Sequence, residues 1–107
     1  MPYITEKDML LLAPVACGEV SSTNAAATQF PAIQCSYILI KALAANTGNI
    51  HIGLSGVTIA DGATDVTTGY ELDAGDELIV PLKNGNTEIL YHINTAANGG
   101  FTYLCLG

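Results

Sequence analysis

Charge is scarce in this chain. Asp, Glu, Lys and Arg make up 12% of its 107 residues, where a soluble domain usually carries about 25%. Positive charge is scarcer still, with Lys7, Lys41 and Lys83 the whole complement. The net charge of −7 repels phosphate and leaves no basic footprint. Nucleic acid and an anionic membrane surface are therefore not expected as partners. Trp is absent, and no segment reaches the length needed to span a bilayer.

Groups for chemistry are also few. The only histidines are His51 and His92. Each sits mid-strand in the pattern, with no Cys-x-x-Cys or His-x-His beside it, so a structural role is favoured over metal ligation. Cys17, Cys35 and Cys105 are odd in number and widely spaced, which is not a disulfide framework. Cys35 and Cys105 lie in apolar runs and read as small buried hydrophobes; the alternative is that one of the three possible pairs among Cys17, Cys35 and Cys105 is bridged across facing strands. Ser55 lies in Gly53-Leu54-Ser55-Gly56, which lacks the Gly-x-Ser-x-Gly spacing of a nucleophile elbow. The Gly-rich pieces lead into β patterns and not into a helix that could cradle phosphate. Acids gather at Asp61, Asp65, Glu71, Asp73, Asp76 and Glu77, but the spacing matches no EF-hand loop and reads as a solvated face. No catalytic residue, metal site or cofactor is assigned, and the chain is not expected to be an enzyme.

What the chain has in quantity is apolar residues in period-two patterns. Hydrophobic residues make up 50%. The organising stretch is Cys35 to Gly56. Ile38 and Ile40 share one face of a first run, and Ile50 and Ile52 share one face of a second. Tyr37, Leu39 and Lys41 point the other way, as does His51. Ala44-Ala45-Asn46-Thr47-Gly48-Asn49 between them predicts a hairpin with a long or bulged loop. The first run is apolar on both faces, which predicts a central strand.

Around it, Val15 to Val20 reads as a short strand and Ser21 to Ala27 as a loop. Pro31 cannot donate to a ladder and implies an edge position or a strand start. Gly53 to Gly69 reads as a long turn-rich loop. Glu71 to Asp76 reads as a turn and Glu77 to Leu82 as a strand. Asn84-Gly85 is a strong hairpin signal of type I′, leading into Thr87 to Ile93 with Ile89, Tyr91 and Ile93 on one face. Phe101, Tyr103 and Cys105 share a face of the last run, with Leu104 and Leu106 opposite, which predicts a strand inside a sheet. No helical periodicity persists. Short strands at roughly 8–12-residue spacing predict an all-β sandwich, jelly-roll-like, of about seven or eight strands.

At 107 residues this reads as one domain. Residues 13–107 form the β-sandwich and residues 1–12 an N-terminal arm. The arm lacks the basic start of a secretory leader, since Glu6, Lys7 and Asp8 sum to −1, and Pro14 spoils a lipoprotein box at Cys17. The expectation is a product assembled in the cytoplasm. Tyr3, Ile4, Met9, Leu10 and Leu11 are the candidate interface residues, docking on a neighbour; the alternative is that the arm frays or packs as a first strand of its own domain. So small a domain with so little charge is expected to hide part of its surface against another chain.

Two segments, Ile40 to Thr58 and Gly69 to Leu78, resemble a pattern of small tailed-bacteriophage structural proteins, with a looser echo at Ala26 to Cys35. Together they cover about a third of the chain. Members are β-sandwich or jelly-roll modules of capsid decoration (cement) proteins, head fibres and tail or neck components. The resemblance implies a homo-oligomer, a trimer by preference, that binds the major capsid protein on the outer surface of the virion and bridges capsomers. A neck, tail or head-fibre component is the alternative within that class. A carbohydrate-binding β module is the alternative outside it, and the lack of Trp for sugar stacking counts against it.

Overall fold

The computed structural model describes residues 12–107. The candidate interface residues Tyr3, Ile4, Met9, Leu10 and Leu11 lie outside them. Among the described residues eight strands run in chain order: β1 (Pro14–Ser21), β2 (Thr28–Gln29), β3 (Tyr37–Ala42), β4 (Ile50–Gly53), β5 (Tyr70–Leu72), β6 (Glu77–Pro81), β7 (Tyr91–Asn94) and β8 (Gly100–Leu106). They form two four-stranded antiparallel sheets. The front sheet has the order β1-β8-β3-β6 and the back sheet β2-β7-β4-β5.

The order follows one rule. Strand β1 pairs with β8, β2 with β7, β3 with β6 and β4 with β5. The chain is in effect a long two-stranded ribbon folded at its middle and rolled up. Contacts of β3 with β8 and of β4 with β7 then close each sheet. This is the jelly-roll arrangement, so the all-β sandwich expectation stands.

Alternation places the core. Ile38, Ile40 and Ala42 of β3 point inward with Phe101 and Cys105 of β8. From the back sheet, Ile50 and Ile52 of β4 and Leu72 of β5 meet them, and Phe30 and Leu90 close the ends. Burying each large side chain of this kind contributes about 1.5–3 kcal/mol. Strands β3 and β8 are interior to the front sheet, as their two-sided apolar patterns imply.

Four local readings are corrected. Strands β3 and β4 are not a hairpin, because they belong to opposite sheets. Both turn an Ile face toward the same core, and the linker has residues enough to cross the roughly 10 Å between sheets. Asn46 fastens the crossing: its Nδ2 donates to the Gly100 carbonyl at 2.8 Å and its Oδ1 accepts the Gly100 N–H at 3.1 Å.

Asn84-Gly85 does not form a type I′ hairpin either. Type I′ needs positive φ at both central residues, and among the described residues only glycines adopt it. The Gly85 N–H bonds the Leu82 carbonyl, closing an ordinary turn. A single 3-10 turn, Thr87–Ile89, follows, and the chain crosses to the back sheet. Thr87 pins this crossing by donating its hydroxyl to the Pro31 carbonyl while accepting the Ile33 N–H at 2.9 Å.

The turn expected over Glu71 to Asp76 is shorter, since Glu71 and Leu72 belong to β5. Asp76 caps the remainder, its Oδ2 accepting the Asp73 N–H at 2.9 Å. Strand β7 reverses its reading too. The polar His92 and Asn94 face the core, and Tyr91 and Ile93 are half-buried on the outer side.

Candidate functional site

The two outer faces of the sandwich differ. On the back sheet the loop between β4 and β5 folds over the outside. Val57 is buried and sits above Gly53 and Gly69. A Cβ at either glycine would come within 2.7 and 2.5 Å of the Val57 Cγ2, so only glycine permits this approach. The same loop covers His51, which is 1% exposed although its side chain points away from the core. Its Nε2 accepts the Ala60 N–H at 3.2 Å, which leaves the ring proton on Nδ1.

The front sheet carries no such cover among the described residues. Its outer side chains stand in three rows across the strands, fixed by the ladder register. Cys17, Leu104, Leu39 and Ile79 lie directly opposite one another across β1, β8, β3 and β6. Toward one end follow Pro14, Leu106, Tyr37 and Pro81, of which Leu106 is buried. Toward the other end follow Glu19, Thr102, Lys41 and Glu77. Two apolar rows thus end against one polar row.

Lys41 and Glu77 form an exposed ion pair at 3.8 Å, a contact that adds little stability in water. A shallow depression of about 540 Å³ lies between the middle row and the polar row, bounded by Leu39, Lys41, Glu77, Ile79, Thr102 and Leu104. This face is the candidate functional surface. It can offer apolar area framed by hydrogen-bonding and charged groups, but it holds no nucleophile–base pair.

Polar groups inside the sandwich have structural work. Ser22 is buried where the chain leaves β1 for β2. Its hydroxyl lies 2.7 Å from His92 Nδ1, and its carbonyl accepts from Asn94 Nδ2 at 3.0 Å. Asn94 Nδ2 also reaches the Asn98 carbonyl, and its Oδ1 accepts the Ala96 N–H at 3.0 Å. The His92 ring makes edge contacts with Phe30 and Phe101, centroids 5.5 and 5.0 Å away. Burial lowers the His92 pKa from 6.5 to about 4, because charge is costly there.

His51 and His92 point to opposite faces of the back sheet, since His51 pairs with Ile93 and His92 with Ile52. They cannot share one ion. The acids Asp61, Asp65, Glu71, Asp73, Asp76 and Glu77 are all exposed. The carboxyl of Asp65 is held below its usual range by the Thr67 N–H, then by the Thr67 and Thr58 hydroxyls. Asp65 thereby stiffens its own loop. Among the described residues no group of three His, Cys, Asp or Glu is placed to hold a metal ion.

All three cysteines are free thiols. Cys17 is exposed, while Cys35 and Cys105 are buried side by side. Burial and the neighbouring Cys35 push the Cys105 thiol up to about 12. No protein-family model matches the chain, and neither a curated protein nor a solved structure matches it.

Proposed function

We propose that this chain is a structural protein of a tailed-bacteriophage virion, of the capsid decoration kind. It binds the outer shell, bridges neighbouring capsomers and so stabilises the head. The reading joins the sequence resemblance to one observation: the front sheet, left without cover by the described residues, with Cys17, Leu104, Leu39 and Ile79 in a single apolar row. A solitary domain gains nothing from such a surface, whereas an assembly protein uses it as contact area.

The partners in this reading are the major capsid protein and other copies of the chain. Each bridge adds interface that must be lost before capsomers separate, so the shell better resists the pressure of its packaged genome. The net charge of −7 suits the outside of the shell, away from DNA.

Co-sedimentation of the purified chain with shells of the major capsid protein tests this. Saturable binding that raises the shell's melting temperature is the expected result. A chain that ignores shells, or that sits only at the neck or tail of an intact particle, overturns it.

A further inference from the structure

We propose that His51 is a proton-operated latch for the loop between β4 and β5: a proton on its Nε2 frees residues 54–69 from the back sheet. The proposal goes beyond the shell reading and does not depend on it.

The loop is held at few points. Of residues 54–68 only Val57 is buried, and most of the others are exposed. Its internal hydrogen bonds close the loop on itself. The Thr58 N–H bonds the Thr67 carbonyl, the Gly69 N–H bonds the Thr58 carbonyl, and Asp65 accepts from Thr58 and Thr67. Among the described residues one hydrogen bond joins residues 54–69 to the rest of the molecule, from the Ala60 N–H to His51 Nε2 at 3.2 Å. A segment so attached opens far more easily than the core beneath it.

The latch works only while Nε2 keeps its lone pair. One nitrogen of a neutral imidazole accepts, whereas both nitrogens of the charged ring donate. A proton on Nε2 therefore sets N–H against N–H at Ala60. It also places a full charge on a residue that is 1% exposed, where an unpaired charge is costly. His51 Nδ1 already lacks a hydrogen-bond partner, so the charged ring holds two unanswered donors. Both penalties vanish when the loop lifts and water reaches the ring.

The neighbours give a closed, charged ring no relief. Glu71 of β5 stands directly opposite His51 in one ladder, and Ile93 of β7 in the other. Glu71 Oε1 is engaged by Asn49 Nδ2, Asp61 Oδ1 by the Ala63 N–H and Asp65 Oδ1 by the Thr67 N–H. Tyr91 of β7, opposite Gly53, is a phenol and no anion in the acid range. With the loop away, Glu71 is the cross-strand neighbour of a solvated imidazolium, an attractive pairing. Acid thus favours the open form on two counts. That form bares the outer face of the back sheet at His51, Gly53 and Gly69.

Amide exchange of the native full chain, followed by NMR from about pH 7.5 to about 5, tests this over the interval in which an imidazole ordinarily takes its proton. Rates are corrected for the intrinsic pH dependence of exchange. Protection of the Ala60 N–H, relative to core amides of β3 and β8, should fall by up to about tenfold per pH unit, the limit for one linked proton. His51→Gln keeps an acceptor that does not titrate, so its Ala60 protection should not follow pH. His92→Gln removes the other buried imidazole and should keep the wild-type response. Imidazole nitrogen shifts at neutral pH should place the His51 ring proton on Nδ1. If His51→Gln fails to fold, the wild-type protection ratio and the ring shifts decide. A constant ratio, a response that survives in folded His51→Gln, or a ring proton on Nε2 overturns the proposal. Binding to shells enters none of these measurements, so the latch and the shell reading fail separately.

Discussion

Ser22 Oγ and His92 Nδ1 stand 2.7 Å apart, seventy positions apart in sequence and each 1% exposed. The contact joins the end of a front-sheet strand to the middle of a back-sheet strand. It works while the imidazole is uncharged, because nothing among the described residues gives a charged ring an anionic partner.

Stability should therefore fall in mild acid. His92 titrates at about 4 when folded and at its ordinary 6.5 when unfolded. Between those values the unfolded state binds the extra proton. The contribution is complete above 6.5, declines as pH falls and is gone below about 4; it amounts to at most about 3 kcal/mol. Urea unfolding at half-unit steps from pH 7.5 to 4 measures it. His92→Gln cannot take the proton, so its slope between pH 5 and 6.5 should flatten.

Asn94→Ala should cost about 2–3 kcal/mol. It leaves the Ser22 carbonyl and the Ala96 N–H without their buried partner. A lower urea midpoint with an unchanged m-value is the expected outcome. A loss under about 0.5 kcal/mol would show that water replaces the side chain.

Neighbouring positions on β3 should respond very differently. Ile40 is 1% exposed in the core, so Ile40→Ala should cost about 2–5 kcal/mol. Leu39 points the other way and is half-buried, so Leu39→Ala should cost less than about 1 kcal/mol in the dilute monomer. Equal losses would invalidate the assignment of the two faces.

Thiol reactivity offers a direct check. A disulfide reagent at pH 8 should modify Cys17 in the native protein and leave Cys35 and Cys105 until the chain unfolds. Burial keeps the reagent from both, and at Cys105 it also holds the thiol in its protonated, unreactive form. Two fast-reacting thiols in native protein would contradict the burial of this pair.

The sheet architecture was legible because alternation marks faces wherever one face is apolar. Ile38, Ile40, Ile50 and Ile52 all face the core as their spacing predicts. Connections were less legible. Asn46 and Asn84-Gly85 look like hairpin turns, yet both lie where the chain changes sheets. Which strand pairs with which is decided by packing far along the sequence, and turn residues report only local φ. Strand β7 misled because Tyr91 and Ile93 are the apolar members, while His92 and Asn94 go inside to serve Ser22. The front-sheet rows left a trace in Leu39 and Leu104, each apolar opposite an apolar core face. Their alignment with Cys17 and Ile79 needed the register.

The nested order of strands also governs how quickly the molecule can form. Only β4 and β5 have their ribbon partner nearby; β1 must find β8 across most of the chain. Every such search closes a large loop before any contact rewards it. Refolding after dilution from denaturant should therefore occupy milliseconds to seconds, and the central ribbon turn between β4 and β5 is the natural place for nucleation.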